Sequence, residues 1–199
     1  MLDRSSAAVA DHGRGLDRRS ALGLGLGATG LALTAGGPEA VAASTRGLTN
    51  ADSLALYRLK ADYAFGTDAI GAGDFDRGLA LYREVFAPDA QIAAGFDEAS
   101  PLLEAVGPDA YAELVRSGFA GVLGSQHFLG TFGAEGGPRR TARITTYFQA
   151  TVLTAADQTI TTYLGAYHDE ARRVRRSRWL ITKSFAKYLS IETGTRTAP

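Results

Sequence analysis

The sequence predicts an α+β fold, with helices in the first half and an antiparallel sheet in the second half. Up to about residue 123, apolar side chains recur every three to four positions, which is typical of amphipathic helices. From about residue 124 they alternate every second position, in runs rich in Thr, Tyr, Phe, Ile and Val that are typical of strands. Helices that precede the strands, rather than alternating with them, favour an α+β arrangement.

The first 42 residues have the pattern of an export leader and are set apart from the fold. The twin arginines Arg18 and Arg19 precede a glycine-rich, mildly apolar segment, which is typical of the pathway that exports folded proteins. A retained anchor is the alternative, but the apolar run of about 16 residues is shorter than the ~20 that a membrane helix needs. Residues 40–42, Ala-Val-Ala, match a cleavage site. We therefore expect a protein of the cell envelope or the exterior, cleaved near Ala42.

Residues 43–199 then form a single domain, with its core at about residues 50–192. Basic and acidic side chains are equal in number, at 21 each. This balance predicts neither nucleic acid nor an anionic membrane as a partner. The chain has no cysteine, which rules out disulfides, thiolate metal sites and cysteine nucleophiles. We expect no metal and no cofactor.

Capping residues and glycines predict the helices of the first half. The first helix is predicted to begin with Thr49 or Asn50 as N-cap and to end at the glycines of residues 71 and 73. The second is predicted to follow Asp74 or Asp76 and to stop at Pro88. A short strand is predicted at residues 90–96, and a third helix at residues 107–123 with a proline in its first turn.

Four longer strands are predicted after the helices. They cover residues 125–135, 139–155, 158–174 and 177–192, and short polar turns separate them. Strands that follow one another across such turns form an antiparallel meander.

Asp68 is an anomaly on the predicted first helix. The helix has an apolar stripe at helical spacing, formed by Leu54, Tyr57, Ala61, Ala64 and Phe65. Asp68 is the next position on that stripe, and a buried carboxylate needs a partner. A basic side chain, backbone N–H groups or an imidazole would serve, and the histidines beyond the leader are His127 and His168. The alternative is that the stripe ends and Asp68 is solvated in the last turn.

His127 lies in the strand-like run GSQHFLGTFGAE, residues 124–135. Alternation separates two sets of side chains, with His127, Leu129 and Thr131 on one face and Phe128 and Phe132 on the other. A lone histidine in a strand is more often packed than catalytic. If Asp68 accepts a hydrogen bond from one ring nitrogen, the other nitrogen becomes a better proton acceptor, as in acid–base pairs.

Four segments occur in an order that is itself informative. They are the first helices with YAFGTDAIGAGDFDRGLALYREVFAPDA, the helix VGPDAYAEL, the strand SQHFLG and the closing hairpin YLGAYHDEARRVRRSRWLITK. From about residue 50 to 190 the chain resembles the SnoaL-like branch of the nuclear transport factor 2-like superfamily, which includes scytalone dehydratase and hexachlorocyclohexane dehydrochlorinase. The resemblance implies a cone: three N-terminal helices cover a strongly curved, mostly antiparallel sheet and enclose a pocket.

The resemblance also implies a catalytic pair. In lyases of this family, an aspartate late in the first helix orients a histidine that removes a proton from the substrate, and Asp68 and His127 match those positions. The chain departs from the dehydrochlorinase at two places. Tyr63 stands where that enzyme has a lysine, and Ser184 stands where it has an arginine beyond its tryptophan. The group that stabilises negative charge developing on the substrate is therefore expected to differ from that of the dehydrochlorinase.

Three tyrosines are candidate substrate-binding residues, namely Tyr63, Tyr147 and Tyr167. Each could line the implied pocket, and ordinary packing is the alternative. His168, near a strand end, is a weaker candidate for a second histidine of the site.

Three functions are compatible with these observations. The first is an exported lyase or isomerase without cofactor, which uses the Asp–His pair on a small apolar or polycyclic substrate. The second is a module of the same fold that only binds a small ligand. The third is a dimerisation module, and a homodimer or higher homo-oligomer is expected in any case.

Overall fold

The computed structural model describes residues 47–154, 158–175 and 178–195, so the predicted leader lies outside the described residues. The helices are α1 (Asn50–Gly71), α2 (Phe75–Val85) and α3 (Pro108–Gly118). The strands are β1 (Phe86–Gly95), β2 (Leu103–Val106), β3 (Val122–Gly136), β4 (Thr141–Thr154), β5 (Thr159–Arg173) and β6 (Trp179–Thr195). A 3-10 turn, Pro138–Arg140, connects β3 to β4.

All six strands form a single sheet in the order β2-β1-β6-β5-β4-β3. Four of its neighbouring pairs are antiparallel, and β1 pairs with β6 in parallel. The inner face of β4 shows the alternation most clearly, because its side chains are buried at every second position from Ala142 to Val152. This mixed, mostly antiparallel sheet with three helices confirms the predicted α+β class.

The N-cap of α1 is Thr49, one of the two residues predicted, and a capping box stabilises this helix start. The Asp52 N–H donates to Thr49 Oγ1, and the Thr49 N–H donates to Asp52 Oδ2, both at 3.2 Å. Asp52 also accepts a hydrogen bond from Trp179 Nε1 at 3.3 Å and forms an ion pair of 2.5 Å with Arg173. The first turn of α1 is therefore tied to the β5–β6 hairpin.

The structure buries a different face of α1 from the one that the predicted apolar stripe indicates. Leu54, Tyr57 and Phe65 are 51%, 42% and 61% exposed. The face that is buried carries Leu56, Leu59, Lys60, Tyr63, Thr67 and Ile70. Lys60 interrupts the apolar pattern of that face, which is why the other stripe is favoured by sequence. Its charge is compensated by Asp169 of β5, whose Oδ2 lies 3.0 Å from Lys60 Nζ.

Among the differences from the prediction are two helix ends and one strand. Pro88 does not end a helix, because α2 already ends at Val85 and Pro88 lies in β1 at an irregularity of the β1–β6 register. The third helix ends at Gly118 rather than at residue 123. Strand β2 is absent from the prediction, since four residues are too few to show alternation.

Candidate active site

Asp68 lies in the last turn of α1, where its side chain faces His127 of β3. Asp68 Oδ1 is 2.7 Å from His127 Nδ1. The imidazole is 7% exposed and the carboxylate 23% exposed. The carboxylate is therefore a partly shielded hydrogen-bond acceptor, and the alternative of a solvated residue at the helix end does not hold.

The Asp68 carboxylate receives two further hydrogen bonds from β3. Ser125 Oγ donates to Oδ1 at 2.9 Å, and the backbone N–H of His127 donates to Oδ2 at 3.1 Å. A carboxylate only accepts, so the hydrogen of the neutral imidazole lies on Nδ1. The nitrogen left as a proton acceptor is Nε2.

Strand alternation and one bulge decide which β3 side chains point inward. His127 and Leu129 point toward the helices, while Phe128 is 54% exposed on the outer face. The β3–β4 register then shifts between Leu129 and Phe132. This extra residue brings Phe132 inward, where its ring packs edge-on against Tyr57. The predicted faces are right at residues 127–129 and wrong at Thr131 and Phe132.

A cavity of about 190 Å³ borders His127, between the helices and the inner face of the sheet. Its wall is aliphatic and aromatic, and the Phe and Tyr residues that line it are Tyr63, Tyr111, Phe119, Phe148, Tyr163, Tyr167 and Tyr188. None of the described residues that line it is an Asp, Glu, Lys or Arg. A larger depression of about 680 Å³ near β1, β2 and β6 contains neither Asp68 nor His127. The smaller cavity is therefore the candidate site, and it suits an uncharged ligand.

The hydroxyls of Tyr63 and Tyr111 are hydrogen-bonded to each other in the wall of this cavity. The two oxygens are 2.8 Å apart. Burial raises the pKa of both phenols well above the usual tyrosine value, and neighbouring phenols raise it further. Both groups therefore stay protonated at neutral pH and act as hydrogen-bond donors. Nothing in the sequence marks Tyr111 as part of the site.

The remaining predicted residues divide between the two faces of the sheet. Tyr167 is 2% exposed and lines the cavity, as Tyr63 does. Tyr147 does not, because alternation along β4 turns it to the outer face, where it is 57% exposed. Its neighbour Phe148 points inward in its place. His168 is likewise exposed on the outer face of β5, so neither Tyr147 nor the weaker candidate His168 lines this cavity.

Across residues 47–154, 158–175 and 178–195, no three His, Asp or Glu side chains are grouped so that they could hold a metal ion. No helix in these same ranges is long and apolar enough to cross a membrane.

Several solved structures share this fold. A protein from Novosphingobium aromaticivorans, named as an aromatic ring hydroxylase, is 25% identical with a TM-score of 0.61, over 74% of this chain and 96% of that one. One from the same organism, named as a scytalone dehydratase, is 16% identical with a TM-score of 0.56, over 73% and 88%. Hexachlorocyclohexane dehydrochlorinase LinA-type3 from Novosphingobium barchaimii is 15% identical with a TM-score of 0.59, over 73% and 94%.

The similarities to the scytalone dehydratase and the dehydrochlorinase, at 16% and 15% identity, show the cone fold alone. A search of the curated proteins finds no match. The model of the SnoaL-like domain family matches residues 49–184. Because this match covers more than half of the sequence, the chain belongs to the SnoaL-like domain family.

Proposed function

We propose that the protein is a cofactor-independent lyase or isomerase, in which His127 removes a proton from a small, uncharged ring compound. The observation that carries the proposal is the 2.7 Å contact between Asp68 Oδ1 and His127 Nδ1, on an imidazole that borders a cavity. With Nδ1 held by the carboxylate, Nε2 is the general base. Asp68 stabilises the imidazolium that forms.

The proposed reaction begins with proton transfer from carbon to Nε2. The electron pair of the C–H bond moves toward an adjacent carbonyl oxygen, which becomes enolate-like and accepts a hydrogen bond from the Tyr63–Tyr111 pair. In an isomerisation, the imidazolium returns the proton to a different carbon. In an elimination, the same electron pair expels a leaving group such as hydroxide, and the imidazolium proton converts that hydroxide to water.

The cavity limits the size and charge of the substrate. Its volume of about 190 Å³ is below the ~300–1,000 Å³ usual for pockets that hold drug-sized ligands. Its wall includes tyrosines, and none of the described residues in it is an Asp, Glu, Lys or Arg. These features support an oxygenated molecule of one or two rings over a larger polycyclic substrate.

A second candidate is a module that only binds such a molecule. The favouring observation is that Asp68 already accepts three hydrogen bonds, from Ser125 Oγ and from the backbone N–H and the ring of His127. The need to satisfy a partly buried carboxylate would therefore be enough to explain why Asp68 and His127 are in contact. In that case a ligand would raise the melting temperature without being turned over.

Deuterium exchange separates the two candidates. The probe is 1-indanone, a bicyclic ketone, and NMR follows the incorporation of solvent deuterium at C2. We expect the wild-type protein to exceed the buffer rate and His127→Ala to fall to it. Asp68→Asn should be slower than the wild type by at least about a hundredfold. His168→Ala is the matched control, because His168 lies on the outer face. Unchanged exchange in His127→Ala would exclude the proposed base.

A further inference from the structure

The two glycines at the end of α1, Gly71 and Gly73, are required for different reasons. Gly73 has a φ of +85°, a left-handed conformation that favours glycine, and a Cβ there would meet no non-neighbouring atom of the described chain within 4 Å. Gly71 is helical and has no positive φ. Because alanine is the better helix former at such a position, the reason for a glycine at residue 71 lies in its surroundings.

The space beside Gly71 is occupied by Ser125 and Phe119. A methyl group on residue 71 would lie 2.5 Å from Ser125 Oγ and 3.0 Å from two ring carbons of Phe119. Both neighbours belong to the candidate site, because Ser125 Oγ donates to Asp68 Oδ1 at 2.9 Å and Phe119 lines the cavity. The shorter distance is well inside the ~3.5–4.0 Å of an ordinary van der Waals contact. A side chain at residue 71 would therefore displace Ser125 Oγ.

Gly71 stands next to Asp68 on the helix surface. Residues three positions apart are neighbours on one face of a helix, and the Asp68 side chain on this face meets β3. Its carboxylate accepts hydrogen bonds of 2.9, 3.1 and 2.7 Å from Ser125 Oγ, the His127 N–H and His127 Nδ1. A short side chain makes all three contacts only where the helix and the strand approach closely. The small size of residue 71 allows this approach.

We propose that Gly71 is a positioning residue of the Asp68–His127 pair, because its lack of a side chain keeps Ser125 Oγ directed at Asp68 Oδ1. A methyl group would turn Ser125 Oγ away, since rotation about one bond of a short side chain costs less than moving the helix or the strand. Asp68 Oδ1 would then lose one of its two donors. This inference rests on the proposed function, because the pair consists of the proposed base and its orienting carboxylate.

Gly71→Ala tests the proposal in the 1-indanone exchange assay. We expect kcat for exchange to fall about tenfold while the protein stays folded, as for the loss of a partner that orients a site residue. Gly73→Ala is the matched control. Its backbone strain should lower the melting temperature, whereas the folded protein should exchange at the wild-type rate. Wild-type exchange in Gly71→Ala, or an equal loss in Gly73→Ala, would contradict the proposal.

A double variant shows whether Gly71 acts through Ser125. Because Ser125→Ala removes the atom that the methyl group displaces, Gly71→Ala should add no further loss in that background. Losses that multiply to about a hundredfold would overturn the proposal. If Gly71→Ala alone does not fold, the double variant should fold again, because Oγ is absent. A double variant that stays unfolded would also count against the proposal.

NMR of His127 tests the same role without a substrate. The ¹⁵N signal of Nδ1 should move in the same direction in Gly71→Ala and in Ser125→Ala, because both leave Asp68 Oδ1 with one donor fewer. It should stay in place in Gly73→Ala. A signal that moves in Ser125→Ala but not in Gly71→Ala would overturn the proposal. Absent exchange by the wild type, with these shifts observed, would remove only the reaction of the proposed function.

Discussion

Ser125 shares one oxygen of Asp68 with the imidazole of His127. Its Oγ donates to Oδ1 at 2.9 Å, and His127 Nδ1 lies 2.7 Å from the same oxygen. We expect Ser125→Ala to slow deuterium exchange roughly tenfold, because partners that orient such a site contribute about that much. Thermal unfolding should change little. Ser117→Ala, at an exposed serine of α3, is the control, and exchange equal to wild type in Ser125→Ala would show that Ser125 has no orienting role.

At the scale of single residues, an unusual residue is easier to recognise in the sequence than the residues that it contacts. Asp68 is noticed because a carboxylate is out of place near apolar positions, His127 because it lies in an apolar run, and the family resemblance implies that the two form a pair. Ser125 is missed although alternation puts it on the face of His127, because a serine in a strand is ordinary. Tyr111 is missed because its contact with Tyr63 spans 48 positions. Such a pairing depends on how α1 and α3 pack.

Helix α1 carries the polar contacts of the whole inner face on successive turns. Lys60 pairs with Asp169 of β5, and Tyr63 meets Tyr111 of α3. Thr67 Oγ1 lies 2.7 Å from the Tyr82 hydroxyl of α2, and Asp68 binds β3. A single helix therefore sets the distances between the ion pair, the phenols and the Asp–His pair.

The first turn of α1 makes a pH-dependent contribution to stability. Burial raises the pKa of Asp52, but hydrogen bonds from Thr49, Arg173 and Trp179 outweigh burial and hold the pKa below its ordinary 3.8. A carboxyl with a lowered folded pKa stabilises the fold above its unfolded pKa. That contribution is lost as the pH falls through the folded pKa.

Asp52→Asn tests this contribution. We expect the variant to be less stable than wild type near pH 6, and the difference to shrink as the pH is lowered from about 4 toward 2. Melting temperatures across this range provide the measurement. Asp76→Asn, at an exposed position of α2, is the control. A difference that is constant with pH would show that the charge of Asp52 is not what stabilises the turn.

At the scale of elements, local sequence signals predict where a helix begins or ends. Which face of a helix or strand is buried depends on contacts with residues that are distant in the sequence. Thr49 marks the start of α1 because its capping box lies within four residues. The buried face of α1 is mispredicted because Lys60 is compensated 109 positions away by Asp169. The bulge after Leu129 is set by pairing with β4 and has no local signal. Each error arises where a distant partner overrides the local pattern.

At the scale of the whole fold, the described helices lie on one face of the sheet and leave its other face uncovered within the described residues. Tyr147 and Leu189 are 57% and 81% exposed there and line one apolar depression. The expected homodimer would bury such a face. We expect light scattering to give the mass of a dimer or a higher homo-oligomer for the wild type, and that of a monomer for Tyr147→Glu. Val106→Glu, at an exposed residue of β2, is the control, and a monomeric wild type would contradict the expectation.

The tautomer of His127 tests the central claim most directly, because it needs no substrate. Long-range ¹H–¹⁵N correlation of the ¹⁵N-labelled protein near pH 8 distinguishes a ring that carries its hydrogen on Nδ1 from one that carries it on Nε2. His127→Ala assigns the signals. The account predicts the Nδ1–H form for His127, held by Asp68, with Nε2 free to accept a proton. A ring in the Nε2–H form would contradict it.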